Sequence, residues 1–186
     1  IWFASSLPVY MYFNPAWSHA HSAFSVALFL WYWQRTRDQR SLRQWIVLGL
    51  AAGLMMNVYY PNAILMTIPG VEALASYCRT KPTRWDSLLR THVCFLGTTF
   101  VALLPTLATR WAVFGSPFES GYPPIAEWNW TSPVWRSVLF SANHGLLSWT
   151  PVLVPALLGL FGAYKKDALF GAGLLLSVLV FGYFIS

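Results

Sequence analysis

The sequence predicts an all-α protein, a polytopic bundle of transmembrane helices, and three observations lead to that fold class. Of the 186 residues, 56% are hydrophobic and only 10% are charged, whereas about a quarter of an ordinary soluble domain is charged. Long stretches carry no charge, and the basic residues gather in short loops between them. This composition excludes a water-soluble globule, a disordered chain and a collagen-like chain.

The uncharged stretches give the positions of the helices. A helix needs about 20 mostly apolar residues to cross roughly 30 Å of hydrocarbon. Asp, Glu, Lys and Arg are absent from 1–34, 44–71, 91–109, 137–164 and 168–186. The first two stretches are interrupted by helix-breaking residues at 14–19 and 59–62, so each predicts a hairpin of two crossings. About seven spans result, the first of them truncated: 1–13, 18–33, 44–60, 62–78, 91–110, 146–164 and 168–185.

The basic residues orient these spans. All of them except Arg110 and Arg136 lie in three loops, at 35–43, 79–90 and 165–166. By the positive-inside rule these loops are cytoplasmic, which places 14–19, 59–62 and 110–136 outside. The net charge of +6 therefore indicates contact with anionic membrane lipids, and no nucleic-acid partner is expected. Because the chain opens on Ile1 and ends inside an apolar run, we expect it to be a fragment.

The outer segment Trp111 to Trp135 differs from an ordinary connector. It holds four Pro, four Trp and two Glu and no basic residue. A long loop this rich in aromatic residues is more typical of an ordered cap than of a disordered linker. The next stretch, 134–143, has apolar residues at helical spacing beside Arg136, which predicts an interfacial helix. The expected organisation is one transmembrane domain over 1–186, with an outer-face cap at 111–145.

A polar stripe marks the start of the second predicted span. Ser18, His21, Ser22 and Ser25 recur at intervals of three and four residues, so they share one helix face. Small residues on such a face favour close helix packing. The alternative is the polar wall of a cavity, in which His21 binds phosphate or moves a proton. His19 lies on another face, and no metal site is predicted.

Charged residues near the outer cap are further candidates. Arg110 and Arg136 flank the cap and could clamp a phosphate with their planar guanidinium groups, or anchor to lipid headgroups. His144 precedes a span and is either a site residue or an interfacial anchor. Glu119 and Glu127 lie within the cap, where a carboxylate could meet a sugar, a cation or water.

Polar and helix-breaking residues inside the spans complete the candidates. Glu72 is the one carboxylate inside a predicted span, so it is either functional or a packing residue near the inner end. Pro105, Pro151 and Pro155 also fall within spans. Kinks at these prolines are expected to open a cavity toward the outer face.

Several segments together resemble a known family. They are SHAHSAFS at 18–25, YYPN at 59–62, GSPFESGY at 115–122, SANHGLLSWTP at 141–151 and LLGL at 157–160. Together they are similar to the bacterial GT-C-fold membrane glycosyltransferases, the enzymes related to protein O-mannosyltransferases and lipid A aminoarabinose transferase. This resemblance covers most of the chain.

The resemblance implies a multi-pass protein of the bacterial cytoplasmic membrane that takes a sugar from a polyprenyl-phosphate-linked donor. The acceptor would lie on the outer face, and a divalent cation could assist the departing phosphate. The family's catalytic carboxylate usually lies in a first outer loop, which would precede Ile1, so no catalytic residue is assigned and the fragment alone is expected to be inactive. The alternative is a secondary transporter or another non-enzymatic polytopic membrane protein. Broken helices and Glu72 would suit a transporter, although no repeated half is visible.

Overall fold

The computed structural model describes residues 7–13, 17–119, 127, 130–131, 134–143 and 145–185. Over these residues the regular structure is helical, which confirms the all-α class. The α-helices are α1 Leu7–Tyr12, α2 Ser18–Thr36, α3 Leu42–Val58, α4 Thr67–Arg79, α5 Trp85–Phe114, α6 Trp135–Phe140, α7 Leu146–Trp149, α8 Leu153–Lys166 and α9 Ala168–Ile185. Short 3-10 helices, Tyr60–Met66 and Pro82–Arg84, precede α4 and α5.

The chain forms two compact units. The first comprises 1–20, 64–79 and 130–186, and the second comprises 21–63 and 80–129. The first unit thus holds α4 and the helices from α6 to α9. The second is built around α3 and α5.

In the second unit α3 and α5 pack in parallel, because contacts advance along both helices together. A Cβ added to Gly49 would overlap the Thr98 side chain and lie 2.6 Å from the Phe95 carbonyl oxygen. One turn later, a Cβ added to Gly53 would overlap Ala102. The two glycines are therefore required by the close approach of the helices, as in small-xxx-small contacts of membrane proteins.

Arg40 joins the end of α2 to the start of α3. Its guanidinium carbon lies 4.5 Å from the centre of the Trp45 ring and 5.9 Å from that of Trp33. Its Nε donates to Thr36 Oγ1 at 3.1 Å, and one terminal nitrogen donates to the Trp33 carbonyl at the same distance. Arg40 is therefore bonded to both a side chain and the backbone in the last turn of α2.

Local sequence explains where these helices begin and end. Ser41 and Gln44 form a capping box at the start of α3, which satisfies two of the amides left free in a first turn. At the C-terminal end of α5, Gly115 has φ 76°, a left-handed conformation that glycine adopts without steric cost. The helix therefore runs to Phe114, past the predicted end at Arg110, and the first residues of the predicted cap are helical.

In the first unit α9 is the central element. Thr67 and Ser177 share a hydrogen bond of 2.6 Å between their hydroxyl oxygens, which joins α4 to α9. A single residue, Asp167, separates α8 from α9 and caps α9 by accepting from the Phe170 amide at 3.0 Å. At the far end of α9, the Tyr183 hydroxyl donates to the carbonyl of Trp130, which belongs to the predicted cap.

The helices differ in how well their length and continuity agree with the predicted spans. The helical segment Pro82–Phe114 is both long enough and apolar enough to cross a membrane. The helices Leu42–Val58 and Ala168–Phe184 are apolar but shorter. Predicted span 62–78 starts as a 3-10 helix and becomes α-helical at Thr67. Predicted span 146–164 is interrupted after Trp149. The count of about seven crossings and the outer position of the cap stay predictions.

Candidate functional site

Polar side chains from four segments meet at one end of the second unit. They come from the start of α2, the end of α3, the 3-10 helix that follows it, and the last third of α5. We call them the Arg110 cluster, which consists of Ser22, Asn57, Tyr60, Asn62, Thr106 and Arg110. The charge pattern predicts an outer position for this end of the unit, and that position stays a prediction.

Asn62 holds the 3-10 helix against its neighbours. The Ser22 hydroxyl donates to Asn62 Oδ1 at 3.1 Å, and Asn62 Nδ2 donates to the Ser22 hydroxyl oxygen at 2.9 Å. The same Nδ2 also donates to the Met55 carbonyl at 3.0 Å, in the last turn of α3. Buried Ser25 donates within its own helix, to the Ser22 carbonyl. These contacts fit the packing interpretation of the polar stripe.

Asn57 connects α3 to α5 next to Pro105. Its Nδ2 donates to the Ala102 carbonyl at 2.6 Å, and its Oδ1 accepts from the Thr106 hydroxyl at 2.6 Å. Sequence reasoning missed this residue. The available signal was that Asn57 is the only polar side chain between Trp45 and Val58, where a polar group has few partners to choose from.

Arg110 is the one charged member of the Arg110 cluster. It is half-buried, and its guanidinium carbon lies 5.4 Å from the centre of the Tyr60 ring, within cation–π range. Arg90 precedes it on α5, and at 1.5 Å of rise per residue the two arginines are about 30 Å apart along the axis. That length equals the hydrocarbon thickness of a bilayer, so the geometry suits one arginine at each headgroup layer.

The other predicted site residues have no described contact with the Arg110 cluster. His21, Glu119 and Glu127 belong to the second unit, and all three are exposed. Arg136 is exposed on α6 and belongs to the first unit, so its predicted clamp with Arg110 stays a prediction. His144 lies outside the described residues. Over the part of the chain that the structure describes, no three His, Cys, Asp or Glu side chains gather as metal ligands would.

The prolines and Glu72 behave differently from one another. Pro151 lies in the turn between α7 and α8, and Pro155 occupies the first turn of α8, where a proline is tolerated. Pro105 is inside α5 and does not interrupt it. Glu72 is half-buried on α4 in the first unit, and both interpretations of it stay open.

An open groove of about 600 Å³ lies at the opposite end of α5. Its lining is Thr80, Thr83, Arg84, Asp86, Ser87, Leu88 and Arg90. Except for Thr80 and Leu88, which are half-buried, these side chains are exposed. The charge pattern predicts an inner position for the groove. It is therefore separate from the Arg110 cluster by the length of the uncharged part of α5.

Comparison with known families decides what kind of protein carries this arrangement. The model of the dolichyl-phosphate-mannose-protein mannosyltransferase family matches residues 3–111, more than half of the chain. The chain belongs to this family. No curated protein and no solved structure matches it.

Membership makes the chain a mannosyltransferase-like membrane glycosyltransferase in general terms, in agreement with the resemblance seen in the sequence. It also favours a glycosyltransferase over the transporter alternative. The match with the mannosyltransferase family ends just after Arg110, so it includes every residue of the Arg110 cluster. The described helices of the second unit thus lie almost entirely within the family's own segment.

Proposed function

We propose that this chain is part of an integral-membrane enzyme that transfers a sugar from a polyprenyl-phosphate-linked donor to an acceptor on the outer face of the bacterial cytoplasmic membrane. Within it, Arg110 contacts the donor phosphate. The observation that carries this assignment is the position of Arg110, half-buried in a polar cluster about 30 Å along α5 from Arg90.

The chemistry of the donor suits this position. A lipid-linked phosphate lies at the headgroup layer, and the length of the uncharged part of α5 supports a position of Arg110 at that layer. A planar guanidinium can offer a phosphate two parallel N–H donors. Because a guanidinium can stack on an aromatic face while its in-plane N–H groups donate, the Tyr60 ring orients Arg110 without occupying its donors.

The transfer reaction gives such a cation a role. The acceptor hydroxyl attacks the anomeric carbon of the donor sugar, the bond from that carbon to the phosphate oxygen breaks, and negative charge grows on the departing phosphate. A carboxylate supplied from outside this segment takes the acceptor proton. Arg110 stabilises the charge on the phosphate, which is an effect on the transition state more than on binding.

The remaining candidates have supporting parts in this proposal. Arg136 and His144 contribute further positive charge toward the phosphate, and His21 lies near it at the start of α2. Glu119 and Glu127 contact sugar hydroxyls from the cap. A divalent cation, if the enzyme uses one, shares the neutralisation of the phosphate.

The test is the rate of sugar transfer by the full protein after substitution of Arg110. We expect Arg110→Ala to lower kcat by about 10²–10³-fold, the usual cost of removing one donor that stabilises transition-state charge. Arg110→Lys should fall between the parent and Arg110→Ala, because a lysine keeps the charge but loses the paired donors. Arg84→Ala is the matched control, since it removes an exposed arginine that directly precedes the opposite end of α5. A rate for Arg110→Ala within twofold of the control would exclude this role.

A further inference from the structure

Pro105 creates a weak point in α5 just before Arg110. A proline has no N–H, so the Val101 carbonyl receives no helical hydrogen bond and the ring crowds the preceding turn. Prolines are a common cause of kinks above 20°. Pro105 lies five residues before Arg110, an axial rise of about 7.5 Å. A change of about 20° at the proline would therefore move the Arg110 backbone by about 2.5 Å.

Asn57 bonds to α5 on both sides of this weak point. It donates to the carbonyl of Ala102, which precedes the proline, and accepts from the hydroxyl of Thr106, which follows it. One rigid side-chain amide therefore fixes two points on α5 relative to α3. Two anchors that flank Pro105 resist bending there, which either anchor alone would not do.

The same anchors determine which way Arg110 faces. Ala102, Thr106 and Arg110 follow one another at intervals of four residues, so they share one face of α5. Asn57 contacts the first two, and Tyr60, which comes three residues after Asn57, contacts the third. The contact between Arg110 and Tyr60 thus continues, one turn further along the same face of α5, the contacts that Asn57 makes.

We infer that Asn57 is a positioning residue, which acts by bridging the Pro105 turn and holding Arg110 against Tyr60. This inference rests on the proposed function of Arg110. Asn57 itself touches no substrate. Its effect reaches the reaction through the angle of the last turns of α5.

The decisive experiment compares Asn57→Ala in the parent and in a Pro105→Ala background. Alanine at 105 restores the helical N–H, so α5 no longer needs an external brace. A misplacement of about 1 Å can cost 10²-fold in rate. We expect Asn57→Ala to lower kcat for sugar transfer by roughly ten- to a hundredfold in the parent, with little change in donor KM. In the Pro105→Ala background we expect its effect to fall below threefold.

A distance measurement in the full protein provides a readout that does not depend on activity. Spin labels at Leu54 on α3 and Val113 on α5 occupy exposed positions, with the two free cysteines, Cys78 and Cys94, replaced by Ser. We expect the distribution of distances between the labels to broaden in Asn57→Ala and to narrow again with Pro105→Ala. Thr106→Val, which removes one of the two bonds, should broaden it less and serves where Asn57→Ala does not fold.

The outcomes separate this inference from the proposed function. Loss of transfer in Arg110→Ala together with unchanged transfer and distances in Asn57→Ala would overturn the positioning role and leave the phosphate contact standing. Equal losses from Asn57→Ala in both backgrounds would also overturn it, since that pattern indicates a local structural bond. If Arg110→Ala leaves transfer unchanged, both proposals fall, whatever the labels show.

Discussion

Gly53 allows a quantitative test of how closely α3 and α5 approach. In the Gly53→Ala variant the new Cβ would lie 2.9 Å from the Thr99 carbonyl oxygen and would overlap the Ala102 side chain. Backbone atoms cannot move aside as the end of a flexible side chain can. Carbon–oxygen contacts are comfortable at about 3.3–3.6 Å and carbon–carbon contacts at about 3.5–4.0 Å. The helices must therefore separate by about 1 Å.

The free energy of unfolding should fall despite a gain in helix propensity. Forcing a methyl group into a filled interface costs about 1–3 kcal/mol. Separation by 1 Å would also stretch the bond from Asn57 Nδ2 to the Ala102 carbonyl from 2.6 Å to beyond hydrogen-bonding distance, which costs about 0.5–1.5 kcal/mol. Replacing glycine by alanine in a helix returns about 1 kcal/mol. We expect a net destabilisation of about 1–3 kcal/mol.

Gly97→Ala is the matched control, because Gly97 lies on α5 and a Cβ there would meet nothing within 4 Å. It should leave stability unchanged or raise it by up to about 1 kcal/mol. Equilibrium unfolding in mixed detergent micelles, followed by helical circular dichroism, measures both variants. The reasoning is refuted if Gly53→Ala is as stable as Gly97→Ala.

Two further substitutions test the helix ends. Arg40→Ala removes the guanidinium that lies 4.5 Å from the Trp45 ring and bonds to Thr36, so we expect a loss of about 1–2 kcal/mol in the same unfolding assay. Arg40→Lys should recover only part of it, and full recovery would mean that charge alone matters. Asp167→Ala removes the acceptor for the Phe170 amide and should cost about 1 kcal/mol. Asp167→Asn should retain most of the cap. Equal thermal midpoints for Asp167→Ala and Asp167→Asn would show that the cap contributes nothing.

Helix positions were predictable from the sequence where they depend on charge. The stretch 91–109 lacks charged residues, and the structure has a membrane-capable helix there. Charge predicted the end of that helix less well, because the helix continues past Arg110 without a break in the backbone. Gly115, with its positive φ, is what ends the helix at Phe114. The interruption near Pro151 was expected as a kink and is a complete break between α7 and α8.

The Arg110 cluster could be predicted only in part. Arg110 stood out because it is a basic residue where the charge pattern expects few. Asn57, Tyr60 and Thr106 did not, because their roles depend on which helices pair and in what register. That pairing had one local signal, the spacing of Trp45, Gly49, Gly53 and Asn57 at intervals of four residues. Small residues at this interval indicate a close helix contact, but they do not say with which helix.

The direction in which α3 and α5 pack relates the orientation predicted from charge to the pairing indicated by small residues. The positive-inside rule orients 44–60 and 91–110 the same way, each from the inner to the outer side. Two neighbouring spans with that orientation can pack only in parallel, and the contacts between α3 and α5 advance in parallel from Gly49 to Asn57. The contacts that bury Gly53 involve no charged residue, so they are independent of the positive-inside rule. An antiparallel pairing of α3 and α5 would have contradicted the orientation that this rule predicts. Because the two helices end on the same side, the residue that follows α3, Tyr60, can reach Arg110 near the end of α5. The proposed phosphate contact depends on that shared direction.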